Sequence, residues 1–211
     1  MTTILVLPDG PVIRRTLPYF SGRTHLTFDE VVRRVVIAVR DGCFNISVTS
    51  DYSRLDAIGY AIEVLIASHI VSRDELCIRL DLNVTECLWN NRIDSNMAMQ
   101  LQTSLTELRI RKVDCLMARV PTASDIPRMT KRPLRRRILQ LPVRFIWNEM
   151  MNFVRMDKTR FIGIMNWEMS DIDCIMRMGR TVPQLALFQI RNHAAIQFCQ
   201  HRGIPCCLYL Y

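Results

Sequence analysis

Glycine is scarce in this chain, with seven in 211 residues, and none stands in a G-x-G-x-x-G turn. That absence excludes the phosphate-binding turn of a dinucleotide-binding Rossmann unit. Long apolar runs are missing too: Val35–Val39 and Ala61–Ser68 stop far short of the roughly 18–20 residues that span a bilayer. No transmembrane helix and no membrane partner are expected. Met1–Gly10 lacks a basic stretch ahead of its short apolar segment and meets Asp9 early, which argues against a secretory signal and for the cytosol. Cysteine pairs at C-x-x-C spacing are absent. The eight cysteines, at 43, 77, 87, 115, 174, 199, 206 and 207, are scattered and read as free thiols, not as a disulfide or metal framework. His25, His69, His193 and His201 are too dispersed to hold a metal. Lysine is rare, only Lys112, Lys131 and Lys158, in a chain with 28 basic residues.

What remains is an ordinary globular composition with a basic excess. Apolar types make up 49% and charged types 23%, which suits one folded domain over residues 1–211 and excludes a disordered chain. The net charge of +8, nearly all from arginine, keeps a polyanion among the partners to consider. The twelve methionines read as core filler.

Helical and strand periodicities alternate with short connections. Thr27, with Glu30 three residues on, marks a capping box ahead of a helix over Glu30–Asp41 that Gly42 ends. Phe44–Val48 reads as a strand buried on both faces, and Asp51–Ser68 as a helix with a wide apolar stripe. Strands follow over Leu76–Leu82, Val113–Ala118, Phe161–Met165, Leu185–Phe188 and Pro205–Tyr209. Helices over Asp94–Leu108, Ile138–Val154, Asp171–Met178 and Asn192–His201 lie between them. Serial β-α-β repetition requires a parallel sheet, either doubly wound or closed as a barrel, and the missing Gly-rich turn favours the barrel. Thr3–Leu7, Pro8-Asp9-Gly10 and Val12-Ile13 read as a β-hairpin ahead of a first strand near Thr16–Phe20.

Several segments, in order, resemble the aldo-keto reductase family. Gly42-Cys43-Phe44-Asn45-Ile46-Ser47-Val48-Thr49-Ser50-Asp51-Tyr52 resembles the stretch in which that family sets its aspartate and tyrosine. Ser104-Leu105-Thr106-Glu107-Leu108, Val113-Asp114 and Pro121 resemble the run that ends after its histidine. Trp147–Met150, Lys158–Trp167, Phe198-Cys199-Gln200, Gly203-Ile204 and Tyr209 resemble later family segments. The resemblance implies an α/β fold of the TIM type: a (β/α)8 barrel with an N-terminal β-hairpin. By this alignment Tyr211 falls at the end of the seventh strand, so the expected barrel stops after about seven strands and lacks the segments that grip the cofactor's adenosine phosphate. The two strand edges at Pro205–Tyr209 and Thr16–Phe20 would then be open to a second copy, as in a homo-oligomer, or to each other.

The family reduces carbonyls with NADPH through an Asp-Tyr-Lys-His tetrad. Tyrosine ordinarily titrates near about 10, so a lysine cation must favour its phenolate while the histidine positions the carbonyl. In this chain the tetrad positions read Ser47, Tyr52, Asp81 and Arg119, so only the acid position, Tyr52, is retained. A carboxylate at Asp81 would raise the Tyr52 pKa, and Arg119 would either neutralise Asp81 or stabilise a Tyr52 phenolate itself. Of the cofactor-binding positions, the resemblance retains Asn166 and Tyr209, while Met165, Ala186 and Leu187 replace polar family residues. NADPH binding, if any, is expected to be weak or lost.

Between the fourth strand and the next helix, Lys131-Arg132-Pro133-Leu134-Arg135-Arg136-Arg137, with Arg128 upstream, resembles a nuclear-localisation or polyanion-binding run. Without interleaved aromatic residues it also reads as a solvated loop. Three readings stand together: a degenerate aldo-keto-reductase-like protein with little or no reductase activity, an NADPH-dependent reductase of small carbonyl substrates using Tyr52 in a rearranged site, and a basic nucleic-acid-binding or nuclear module on the same scaffold.

Overall fold

The computed structural model describes residues 19–22, 24–84, 93–119, 143–179, 181–189 and 193–209. The expected N-terminal hairpin and the basic run with Arg128 lie outside these residues. Helices and strands alternate strictly: α1 (Phe28–Arg40), β1 (Asn45–Thr49), α2 (Leu55–Ala67), β2 (Cys77–Asn83), α3 (Ile93–Glu107) and β3 (Val113–Arg119) come first. They are followed by α4 (Val143–Arg155), β4 (Thr159–Met165), α5 (Met169–Arg177), β5 (Ala186–Gln189), α6 (His193–His201) and β6 (Cys206–Tyr209).

Local chemistry explains where these elements start. At α1 the Glu30 N–H donates to the Thr27 hydroxyl at 3.3 Å, and the Thr27 N–H donates to the Glu30 carboxylate at 2.7 Å. This reciprocal pair satisfies two otherwise orphaned donors. Ser72 and Glu75 repeat the device at a short 3-10 turn, Arg73–Glu75, ahead of β2.

The helix ends follow one rule. Each of the six described helices is followed by a residue in the left-handed region: Gly42, His69, Arg109, Asp157, Gly179 and Gly203, with φ between 52° and 83°. In α2 the Ile70 N–H reaches back to the Leu65 carbonyl, in α3 Ile110 reaches Leu105, and in α4 Lys158 reaches Phe153. This is the Schellman closure, which consumes the last carbonyls of a helix. It turns the chain back toward the sheet, and the next strand starts two to eight residues after the left-handed one.

The six strands form one parallel sheet in sequential order, β1 to β6, the order of a β/α barrel. Phe20 adds an isolated parallel bridge to Val48, beside β1, where the first barrel strand was expected. Alternation along each strand separates two faces. Ile46, Val48, Ile78, Leu80, Leu116, Ile162, Ile164 and Phe188 pack with the helices in the main core. Cys115, Met117, Met165, Leu185 and Leu187 form a separate apolar cluster on the other, inner face. The two-face burial expected for the strand read as Phe44–Val48 is found in β1, all five residues of which are buried. Two indoles lock the layers together: Trp167 Nε1 donates to the Ala118 carbonyl at 2.8 Å, and Trp147 Nε1 to the Thr181 carbonyl at 2.9 Å. α2 and α3 cross closely at Gly59, where any side-chain carbon would overlap the Glu107 carbonyl.

Candidate functional site

Three of the four tetrad positions, Ser47, Asp81 and Arg119, lie on or near the inner face of β1–β3. Ser47 and Thr49 point there from β1, and register pairs them with Arg79 and Asp81 of β2. Arg119 ends β3, in register with Asn83 on one side and Met165 on the other. Ser47 and Asp81 therefore share the inner surface, and Arg119 stands at its upper edge.

Asp81 is fully buried, and its partners are not those the sequence suggested. Arg79 lies two residues earlier on the same face and is only 9% exposed. Its guanidinium donates from Nε to Asp81 Oδ1 at 3.0 Å and from Nη2 to Oδ2 at 3.3 Å. The Tyr19 hydroxyl donates to Oδ2 at 2.7 Å, and the Arg79 guanidinium sits 5.4 Å from the Tyr19 ring centre. Burial opposes the Arg79 charge, but the Asp81 carboxylate and then Tyr19 and Cys115 more than offset it, leaving the guanidinium pKa above its ordinary value. The arginine that neutralises Asp81 is thus Arg79, where the sequence pointed to Arg119. The reason is reach: alternate residues of a strand share a face, and an arginine stem spans the gap.

Tyr52 is placed elsewhere. It follows β1 in a tight turn, with its N–H donating to the Thr49 carbonyl at 3.1 Å. Its ring packs 5.4 Å from that of Phe20, within the helix-side core and not the inner cluster. The side chain is 5% exposed and its hydroxyl is buried without a well-formed hydrogen bond. Burial pushes the phenol pKa up, and the nearby Thr24 hydroxyl, Arg34 and Arg54 partly counter it. The expected elevation is present, but its cause is desolvation and not the Asp81 carboxylate. The arginines that favour its phenolate are Arg34 and Arg54, where Arg119 was expected.

The thiols of the inner face are poor nucleophiles. Burial, reinforced by Asp114, pushes Cys77 up to about 12, and burial pushes Cys115 up as well. Both remain protonated near neutral pH. Asp114 itself is occupied structurally, accepting the Ile78 N–H at 2.8 Å and Arg73 Nη2 at 2.9 Å. Among the described residues no group of three or more histidine, cysteine, aspartate or glutamate side chains could hold a metal ion.

Three of the positions that the resemblance assigns to the nicotinamide are apolar. Met165 and Leu187 are buried in the inner apolar cluster, and Ala186 turns toward the helices. None of the three offers a side-chain hydrogen bond. Asn166 is half-buried in the left-handed region at φ 61°, and its N–H donates to the Leu187 carbonyl at 3.0 Å, the geometry of a strand end. Tyr209 ends β6, in backbone register with Gln189.

Sequence reasoning missed Tyr19 and Arg79. The alternate spacing of Arg79 and Asp81 was a readable signal, whereas Tyr19 lies 62 residues away from its partner. It also missed a rim at the C-terminal strand ends. There the Ser50 hydroxyl donates to Gln100 Oε1 at 3.2 Å, the Asn83 N–H to Ser50 Oγ at 3.2 Å, and Gln100 Nε2 to the Asn83 carbonyl at 3.4 Å.

Comparison with known proteins gives a consistent picture. No protein-family model matches the chain. In sequence it is 25% identical over 175 residues to the 7-acetyl-epi-neemfruitin B aldo-keto reductase of Melia azedarach, covering 81% of this chain and 53% of that protein. It is 25% identical over 197 residues to the NAD(P)H-dependent D-xylose reductase of Scheffersomyces stipitis, covering 86% and 59%. The chain therefore spans between half and three fifths of these curated relatives. In structure it matches a Bombyx mori aldo-keto reductase in complex with NADP, with a TM-score of 0.69 at 20% identity, covering 98% of this chain and 65% of that one. Aldose reductase from Schistosoma japonicum gives 0.71 at 17% identity, covering 96% and 67%. The motif resemblance is thus matched by overall sequence similarity, and the parallel α/β fold is that of the aldo-keto reductase barrel.

Proposed function

We propose that this chain is a degenerate aldo-keto-reductase-like protein with little or no reductase activity. The observation that carries the reading is the occupancy of the lysine position. Reduction of a carbonyl by this chemistry needs a cation beside the tyrosine that gives up its proton. Here the position holds a buried carboxylate, already saturated by Arg79 and Tyr19. The tyrosine at the acid position is buried against Phe20 with its pKa raised. Two of the nicotinamide positions hold Met165 and Leu187, buried in the inner apolar cluster, in place of hydrogen-bonding groups.

A second reading, an NADPH-dependent reductase of small carbonyl compounds, draws on one observation: Arg34 and Arg54 favour the Tyr52 phenolate. One experiment separates the two. Tryptophan fluorescence is titrated with NADPH, and NADPH oxidation is followed with a reactive aromatic aldehyde. The degenerate reading expects no saturable quenching at micromolar NADPH and no turnover. Turnover that disappears in Tyr52→Phe would overturn it.

A further inference from the structure

The strand mouth is not the place where unspent chemistry collects. At the opposite end of the sheet, a cleft of about 720 Å³ opens between the end of α3, the loop into β3 and the turn from α4 into β4. Its size falls within the roughly 300–1,000 Å³ typical of small-molecule sites. Leu105, Ile110 and Met156 form an apolar floor, and Met156 is 61% exposed although it is a large apolar side chain. Arg111, Lys112 and Lys158 form the rim. Two of the only three lysines in an otherwise arginine-based chain meet here.

The neighbouring helix ends do not use these cations. Basic residues after a helix often serve its terminal carbonyls. Here both helices seal those carbonyls with backbone N–H groups, through Ile110 to Leu105 and Lys158 to Phe153. Lys112 is held by Asp157, with Nζ 2.9 Å from Oδ1 and 3.2 Å from Oδ2. Arg111 and Lys158 have no carboxylate partner among the described residues, which leaves the cleft with two uncompensated positive charges beside an exposed apolar surface.

We infer that this cleft is a binding site for a small organic phosphate monoester, with the dianionic phosphate on Arg111 and Lys158 and an apolar body on Ile110 and Met156. Arginine and lysine are both suited to phosphate, arginine through its planar fork and lysine as a point charge. A dianion matches the two free cations, and the floor distinguishes an ester carrying an apolar group from the bare ion. Lys112 stands in reserve, restrained by Asp157. The site is separate from the strand mouth, so the inference holds whether or not the reductase reading does.

The test is calorimetric titration with phenyl phosphate, with inorganic phosphate and phenol as separate arms. The expected result is one saturable site for phenyl phosphate, bound more tightly than either fragment. Arg111→Ala combined with Lys158→Ala should weaken it about ten- to hundredfold, as expected for lost charge-assisted hydrogen bonds. Met156→Asp should weaken phenyl phosphate more than inorganic phosphate, and Asp157→Asn, which releases Lys112, should tighten both. Arg111, Met156 and Asp157 are exposed, and Lys158 is half-buried; unchanged circular dichroism will show that the variants stay folded. No saturable phenyl phosphate binding, binding indifferent to the Arg111/Lys158 variant, or equal affinity for inorganic phosphate would each overturn the inference. So would heparin binding that depends on the same cations without phenyl phosphate binding, because it would reduce the cleft to a general polyanion surface.

Discussion

The inner face of the sheet has two halves of opposite character. The half supplied by β1 and β2 presents Asn45, Ser47, Thr49, Arg79 and Asp81, all buried, with an ion pair at its centre. The half supplied by β3 to β5 presents Cys115, Met117, Met165 and Leu187 in an apolar cluster. Both halves exclude water to a similar degree, so burial alone does not decide the chemistry of a position. What differs is the supply of partners. The charges of the first half persist because two hydrogen bonds from Arg79 and one from Tyr19 converge on a single carboxylate. The second half has no such convergence and is filled by soft side chains that adapt to irregular space.

The contrast predicts that the polar half depends on chemical pairing and the apolar half on volume. The largest effect is expected from breaking the pair. Asp81→Ala or Arg79→Ala alone should cost about 3–5 kcal/mol in urea unfolding, because the surviving charge stays buried. The double variant Arg79→Met with Asp81→Leu should recover most of that loss. A double variant as unstable as the single ones would break the comparison, since it would show the pair to be an ordinary contributor of packing.

A smaller effect is expected across the divide. Met117→Ala should cost about 2–4 kcal/mol through the cavity it leaves, and Met117→Leu less than about 1.5 kcal/mol. If Met117→Leu proved as costly as Asp81→Ala, the apolar half would be as specific as the polar one. The smallest effect belongs to the outermost partner. Tyr19→Phe keeps the ring over Arg79 but deletes the hydroxyl bond to Asp81, for an expected loss of about 1–2 kcal/mol. Thermal unfolding of that variant beside wild type measures it, and no change would show that Arg79 alone satisfies the carboxylate.

Most of the architecture was legible because it is written in short-range patterns. The strand read as Phe44–Val48 is Asn45–Thr49, and that read as Leu76–Leu82 is Cys77–Asn83. The Thr27–Glu30 capping box appears where its spacing placed it. The site was much less legible. Motif alignment singled out Ser47, Asp81 and Arg119, which lie on β1, β2 and β3, yet it carried no information on which side chain would reach which. The Tyr19–Asp81 bond spans 62 residues of chain, and only the folded sheet brings its ends together. The alignment also placed Tyr52 in the network, whereas the turn after Thr49 directs its ring toward Phe20. Left-handed helix ends at His69, Arg109 and Asp157 went unread because the usual marker, glycine, is absent from all three.

Those repeated helix ends bear on how the chain assembles during synthesis. Each closure joins residues no more than five apart, so it forms as soon as its own helix exists, without waiting for any distant segment. Every strand here also pairs with the next one along the chain. An emerging polypeptide can therefore add one helix and one strand at a time to an already folded edge, and most of its contacts lie between neighbouring units, the condition for rapid folding. Tyr19 and Asp81 stand apart from this local order. Their bond joins the two ends of the first three units, and the inner charge is sealed only after β2 has been laid down.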